Sequence, residues 1–274
     1  MPGRPVNIIK SSGNVVPFSI EKLQQSLRRS GANEDTIRDI SGAVEDHLHE
    51  GMTTRNIYQY AYKLLKKKHR HVAGKYSLKK AIMELGPTGF PFEKFIGELL
   101  ERIGYKVKID QFLQGKCVKH EIDIIAENET AICIIECKYH NSQSISCDVK
   151  VPLYVDSRFR DVKPAESKKE YQGWVVTNTQ FTIDAIQYGT CAGLHLLAWD
   201  YPEHKGIKEI ADEHKIYPVT CLTTLSKKEK ELLLENGIIL CKDLVVHSKI
   251  LSENMITGGR MENIIREAMS LSGM

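Results

Sequence analysis

The eighteen residues from Glu121 to Lys138, EIDIIAENETAICIIECK, constrain the fold more than any other stretch, because charges interrupt two apolar runs there. Ile124–Ala126 and Ala131–Ile135 are rich in β-branched residues and flank a polar Glu127-Asn128-Glu129 turn, the pattern of two adjacent strands in a covered sheet. Side chains alternate along a strand, so Glu136 and Lys138 share one face while Cys133, Ile135 and Cys137 share the other. With the turn centred between Asn128 and Glu129, Asp123 falls opposite Ile134 and diagonal to Glu136. At that diagonal, roughly 7–8 Å, two carboxylates can converge on one cation; a turn shifted by one residue is expected to break the register. Two hard oxygen ligands with an ammonium nearby suit Mg²⁺ or Mn²⁺ and a phosphodiester. The other reading of the same pattern is a solvated edge hairpin with ordinary surface charges.

At 274 residues and 42% hydrophobic, the chain is long enough for two cores. The net charge of +3 conceals a split. Residues 1–86 carry 15 Lys/Arg against 8 Asp/Glu, and the remainder 23 against 27. Seven cysteines without a Cys-x-x-Cys pair fit a reducing compartment better than a disulfide or zinc framework. No apolar run approaches the roughly 18 residues of a membrane span, and Met-Pro-Gly-Arg-Pro carries no signal core. The expectation is a cytoplasmic protein with no membrane partner.

Val6–Lys10 and Val15–Phe18 read as a hairpin around Ser11-Ser12-Gly13-Asn14, followed by helices over Ile20–Ser30, Asp35–His49, from Thr53 or Thr54 onward, and Val72–Leu85. Asn7–Leu23, Gly51-Met52-Thr53-Thr54-Arg55-Asn56-Ile57 and Ala73-Gly74-Lys75-Tyr76 together resemble the ATP-cone, a nucleotide-sensing domain, over residues 4–86. The resemblance implies ATP or dATP as ligand. By position it places Lys10 and Lys22 on the phosphates, Val16 and Phe18 in the covering lid, Thr54 at the base or ribose, and Tyr58 where a histidine often contacts the ligand. Ser11, often arginine in that family, and Val16, often acidic, depart from it. The basic run Lys63–His71 fits a solvated helix end, with a DNA-contacting patch as the alternative.

Gly86-Pro87-Thr88-Gly89 breaks the chain before an amphipathic helix over Phe90–Ile103, with Glu93 off its apolar stripe. Tyr105–Ile109 reads as a strand and Gln111–Lys119 as a polar connection. That helix, the Asp123 strand and Glu136-Cys137-Lys138 resemble the Mrr-type branch of restriction-endonuclease-like nucleases over residues 87–202. The resemblance implies a mixed-sheet α/β core. It also makes Glu93, Asp123, Glu136 and Lys138 the catalytic set, with Asp123, Glu136 and the Cys137 carbonyl on the metal. His140 reads as a loop histidine, and Lys150 and Arg158 as residues of a helix whose basic face meets DNA. Residues 203–274 read as a helical extension, of which Leu222–Ile238 resembles half of a helix-hairpin-helix unit or a packing helix pair.

The expected protein is therefore of α+β and α/β character in two domains plus that tail, an ATP- or dATP-regulated, Mg²⁺-dependent DNA endonuclease. Homo-oligomerisation is one route by which nucleotide could gate it. The alternative is a nucleotide-sensing DNA-binding regulator that keeps the nuclease fold for grip alone.

Overall fold

A computed structural model of the protein describes residues 6–10, 13–164 and 167–274. Ser11 and Ser12 of the expected first turn lie outside them. β1 (Asn7–Ile9) and β2 (Val15–Pro17) pair antiparallel, then α1 (Ile20–Arg29), α2 (Glu34–His47) and α3 (Thr54–Lys68) follow. Each helix starts on a side-chain cap: Ser19, Asn33 and Thr53 accept from the backbone N–H groups of Lys22, Thr36 and Asn56. The expected fourth helix is two, α4 (Arg70–Tyr76) and α5 (Leu78–Met83), because Ser77 bonds its hydroxyl to Gly74 O at 2.8 Å and interrupts the helical run. Leu27, Ile37, Ile40, Ala61 and Leu65 form the core of this unit.

α6 (Phe90–Arg102) leads into the main sheet. The strands are β3 (Lys106–Gln114), β4 (Lys119–Glu127) and β5 (Ala131–Lys138), then, after the two-residue β6 (Ser146–Cys147) and α7 (Lys150–Val162), β7 (Glu170–Thr177). β8 (Gln180–Phe181) pairs with β6, and α8 (Ile183–Cys191) crosses over to β9 (His195–Leu197). The order is β3-β4-β5-β7-β9, antiparallel for the first two pairings and parallel for the last two. Parallel neighbours need crossovers, and α7 and α8 supply them. The segment expected as a polar connection is mostly strand, since β3 continues to Gln114 before a turn closed by Gly115 N donating to Val118 O at 2.9 Å.

Alternation decides what each sheet face meets. Ile124, Ala126, Cys133, Ile135 and Cys137 pack with Phe92, Phe95, Ile96 and Leu99 of α6. Thus both cysteines of β5 face the core, away from the charges. Cys147, Val155, Val175 and Leu196 form a smaller cluster that includes α7 and α8 residues. α9 (Ile207–His214), α10 (Lys227–Glu235), α11 (Cys241–Val246), α12 (Lys249–Glu253) and α13 (Gly258–Ser272) complete the chain. Ser226 and Glu229 cap α10 reciprocally, and α10 and α11 pack Leu233, Cys241 and Leu244 into the same core as α6. No helix among the described residues is long and apolar enough to cross a membrane.

The extension is fastened by Glu267 of α13. Its carboxylate, 7% exposed, accepts from Thr223 N (2.9 Å), Thr224 N (3.0 Å) and Thr224 Oγ1 (2.7 Å). Removing the acceptor strands two backbone donors, so Glu267→Ala lowers stability by about 2–4 kcal/mol, and Glu267→Gln, which keeps one oxygen, by less. Urea unfolding measures this; equal midpoints for the Ala variant and the wild type would exclude the fastening role.

Candidate active site

The hairpin between β4 and β5 sets the site. Asn128 Oδ1 accepts from Thr130 N (2.9 Å) and Ala131 N (2.8 Å), while Asn128 N donates to Ala131 O (3.0 Å). This side-chain turn centres the loop one residue later than expected, giving Ile124↔Ile135 and Ile125↔Ile134. Asp123 is therefore directly opposite Glu136 and not diagonal to it. The expectation that a one-residue shift destroys the register is wrong on physical grounds: moving the centre by one moves the partner by two, which preserves the face.

Asp123 also ends the ladder. Its Oδ2 accepts Cys137 N–H at 2.7 Å in place of a β4 carbonyl. The Cys137 carbonyl lies on the same edge of its residue as that N–H and therefore turns toward β4, beyond the last paired residues. Lys138, exposed, shares the face of Glu136, and its charge helps hold the Glu136 carboxylate ionised. Glu93, in the first turn of α6, reaches the same end: a Cβ on Gly89 would meet Glu93 Oε1 at 3.0 Å and Tyr139 Cβ at 4.0 Å.

Asp110 is an acid that sequence reasoning missed. The pairs Ile109↔Ile124 and Gln111↔Ile122 bracket it opposite Asp123, so Asp110, Asp123 and Glu136 form a row across β3, β4 and β5. Its φ of 54° lies in the left-handed region, which aspartate tolerates better than most residues. The pattern Lys-x-Lys-x-Asp along an alternating strand was the available signal.

The row is electrostatically crowded. Burial pushes Glu93 up to about 7, and Asp123, Asp110 and Glu136 add to the rise. Burial also raises Asp123, against the pull of the Cys137 N–H, and raises Glu136, with Asp123 adding to it and Arg158 opposing. Arg158 is the second residue that was misjudged. Instead of presenting a basic face to DNA, its side chain is only 12% exposed, ion-paired through Nη1 to Glu136 Oε2 and donating from Nη2 to Tyr154 Oη at 2.6 Å. Its Nε is buried with no hydrogen-bond partner among the described residues. Sequence could not identify the pair, because the partners are 22 residues apart and the roll of α7 decides which side chain faces the sheet.

These residues suit a small, hard divalent ion in a limited way. Among the described residues no group of three His, Cys, Asp or Glu side chains stands ready for a metal. What is present is two carboxylates, each with one oxygen outside the hydrogen bonds above, the Cys137 carbonyl, and a surplus of negative charge that adds to the effect of burial in raising Glu93. Two carboxylates and a carbonyl, completed by water, match the demands of Mg²⁺ or Mn²⁺, which keep several waters, and fall short of a calcium cage. His140 is a loop residue: Asn178 accepts its backbone N–H and donates to its carbonyl, both at 2.8 Å, and burial lowers its pKa, with Lys138 adding to that.

At the other end of the chain, β1 is tied to the α2–α3 loop by Ile9 N to Met52 O and Gly51 N to Asn7 O, both 3.0 Å, and by an isolated bridge between Ile9 and Thr53. Lys10 therefore emerges beside Thr54 at the start of α3. Lys22 is exposed in the first turn of α1, and Val16 and Phe18 are half-buried against this unit's core. Tyr58 does not join this set. Its ring stacks on Tyr76 at 5.1 Å and Tyr62 at 6.2 Å, its hydroxyl is buried with no partner among the described residues, and burial pushes its pKa far up. The stack turns it toward Tyr76 of α4.

Fold and site thus define a restriction-endonuclease-like α/β protein joined to a nucleotide-binding cone. The family comparisons agree: residues 6–83 match an ATP cone domain, 87–202 a restriction endonuclease domain, and 217–272 the AF1548-like C-terminal domain. An uncharacterized protein of Archaeoglobus fulgidus is 34% identical over 179 residues, which is 65% of this chain and all of that one. The crystal structure of a protein of unknown function, AF1548, is 32% identical, covers 68% of this chain and all of its own, and superposes with a TM-score of 0.56. The chain belongs to the AF1548-like family.

The Glu93 shift has a sign that can be measured. A carboxyl whose folded pKa is about 7 binds protons more tightly than in the unfolded chain, so stability falls as pH rises from the ordinary carboxylate range to about 7 and is flat above. Glu93→Gln removes that loss. The variant is expected to gain on the order of 1–3 kcal/mol over wild type at pH 8, with the gain vanishing near pH 4. Thermal or urea unfolding across pH reports it; a gain independent of pH would refute the cause given.

Proposed function

We propose that the chain is a divalent-metal-dependent DNA endonuclease whose activity is set by ATP or dATP in the cone. The observation that carries this reading is the facing pair Asp123 and Glu136, with Lys138 on the same face two residues on. Asp123, Glu136 and the Cys137 carbonyl would hold Mg²⁺ or Mn²⁺. Such an ion, when bound, polarises a phosphoryl oxygen and makes its water a better nucleophile. Lys138 Nζ would donate to a non-bridging oxygen of the phosphodiester and orient it. Glu93, near neutrality a mixture of acid and carboxylate, can hold a proton at the edge of the site. Arg158 balances Glu136 and keeps its carboxylate in one orientation. The competing reading, a DNA-binding regulator, draws on that same Arg158, which neutralises Glu136 without any ion.

Regulation has a physical route. Tyr139, adjacent to Lys138, packs its ring at a tilt against Phe92, centroids 5.6 Å apart, and donates its hydroxyl to Met83 O at 2.7 Å, in the last turn of α5. Asn178, which clamps the His140 backbone, donates to Met83 Sδ at 3.0 Å. A movement of α5 on nucleotide binding reaches the site through these contacts. Nucleotide acts as effector, since the chain has no Gly-x-x-x-x-Gly-Lys-Ser/Thr loop.

Plasmid cleavage in Mg²⁺ tests the catalytic half. Asp123→Asn and Lys138→Ala each cost about 10²–10³ in rate and leave duplex affinity, measured in EDTA, nearly unchanged. Absence of metal-dependent cleavage by the wild type on plasmid, methylated, branched and single-stranded DNA would sink the enzyme and favour the regulator. Tyr139→Phe tests the regulatory half. It is expected to bind nucleotide as the wild type does while the nucleotide-dependent change in cleavage rate shrinks several-fold; an undiminished response would show that coupling runs elsewhere.

A further inference from the structure

The nucleotide-binding unit carries a cationic groove that neither the cone's ligand nor the acidic row accounts for. Tyr60, Lys63, Leu64, Lys66, Lys67 and Arg70 line a recess of about 500 Å³. Lys63 and Lys67, one turn apart on α3, share one side of that helix, and Arg70 at the start of α4 lines the same recess. Between α3, which ends at Lys68, and Arg70 the backbone of His69 is extended (φ −144°, ψ 94°) and breaks the helix. No acidic residue lines it, and none of its four cations is in an ion pair among the described residues. The contrast lies in the same run: Lys68, one residue on, is paired with Asp39 at 2.5 Å. A helix dipole explains Lys66 and Lys67 in the last turn of α3, but not Lys63 before that turn or Arg70 past the break. Tyr60 forms the end wall, its ring stacked on His47 at 4.4 Å.

We propose that this groove grips the phosphate backbone of duplex DNA, so that the unit that reads nucleotide also holds the nucleic acid. Lys63 to Lys67 spans about 6 Å along α3 at 1.5 Å per residue, close to the roughly 7 Å of axial rise across three successive phosphates of one strand, and Arg70 lies past the break. Four exposed cations without acidic partners form a polyanion site, and they account for much of the charge surplus of residues 1–86. The grip needs no base contact and is therefore sequence-independent. It is separate from the cleavage reading, because binding is measured where no phosphodiester can be cut.

The test uses the full chain, a fluorescent 20-base-pair duplex and EDTA, with affinity followed over a salt series. Neutralising all four cations (Lys63→Gln, Lys66→Gln, Lys67→Gln, Arg70→Gln) is expected to flatten the slope of log K against log salt by about 3, near 0.9 per lost phosphate contact, and to weaken binding at 0.1 M salt at least tenfold. Lys67→Glu alone should weaken it several-fold, whereas Lys227→Gln with Lys228→Gln on α10 should leave the slope as it was. ATP affinity, measured by calorimetry, should be the same in every variant. An unchanged slope in a quadruple variant with wild-type circular dichroism and melting overturns the proposal. So does loss of ATP binding with DNA binding intact, which would make the groove a nucleotide seat. If the quadruple variant fails to fold, Lys67→Glu decides, and wild-type affinity there overturns it as well. Should the chain prove unable to cleave any DNA, these slopes still read the groove independently.

Discussion

Negative charge concentrated at one level of the sheet is the constraint around which the nuclease-like half is arranged. Two carboxylates directly opposite across a strand pair repel by about 3 kcal/mol at roughly 5 Å and an effective dielectric near 20. Three stand in this row, with Glu93 beside them. Each is managed by a different local device. Asp123 takes the Cys137 N–H, Glu136 takes Arg158, Asp110 remains exposed in a left-handed bend, and Glu93 moves toward protonation. A packing argument alone would place isoleucines here, as it does one residue further along both strands. The fold therefore bears a concentration of like charge that packing does not explain, the relation expected of a functional site and not of a core.

Much of this was legible because a strand has period 2. Alternation alone separates Cys133, Ile135 and Cys137 from Glu136 and Lys138, and the structure keeps that division. The exact partner of Asp123 was not legible, because the Asn128 side chain determines where the loop is centred and a sequence window cannot rank its hydrogen bonds against a tighter turn. Facing survived the error, since it depends on parity alone. Asp110 was hidden because nothing local announces that an aspartate will take a positive φ inside a strand. Arg158 was hidden for a different reason: amphipathic spacing gives a helix a polar side, but only the docking angle of α7 tells solvent from a buried acid.

The cone shows a similar boundary between local and tertiary information. Caps at Ser19, Asn33 and Thr53 are short-range chemistry, and the helices start where these residues are. Tyr58 is a tertiary matter. A family position assigns it to the ligand, yet Tyr62 and Tyr76 offer it an aromatic stack, and the stack wins because it buries most of the ring while leaving only one hydroxyl unsatisfied. The single helix expected after the basic run divides at Ser77 because its hydroxyl and backbone both bond back into the preceding turn.

The junction between the two halves is built from directional contacts at the end of α5. The final carbonyls of a helix lack intrahelical partners, and Tyr139 supplies one to α5 at Met83 O. Thr220 Oγ1 bonds Ala81 O at 2.7 Å, Arg29 pairs with Asp212 at 3.2 Å, and the cations of Arg29 and Lys79 lie 5.9 and 5.6 Å from the Trp199 ring. Polar and cation–π contacts of this kind are directional, so a small rotation of α5 costs more here than it would in an oily seam. A ligand shifts such an equilibrium only by its differential affinity for the two arrangements. Because Tyr139 directly follows Lys138, the residue that bonds the end of α5 and the ammonium that faces the acids are neighbours in the chain.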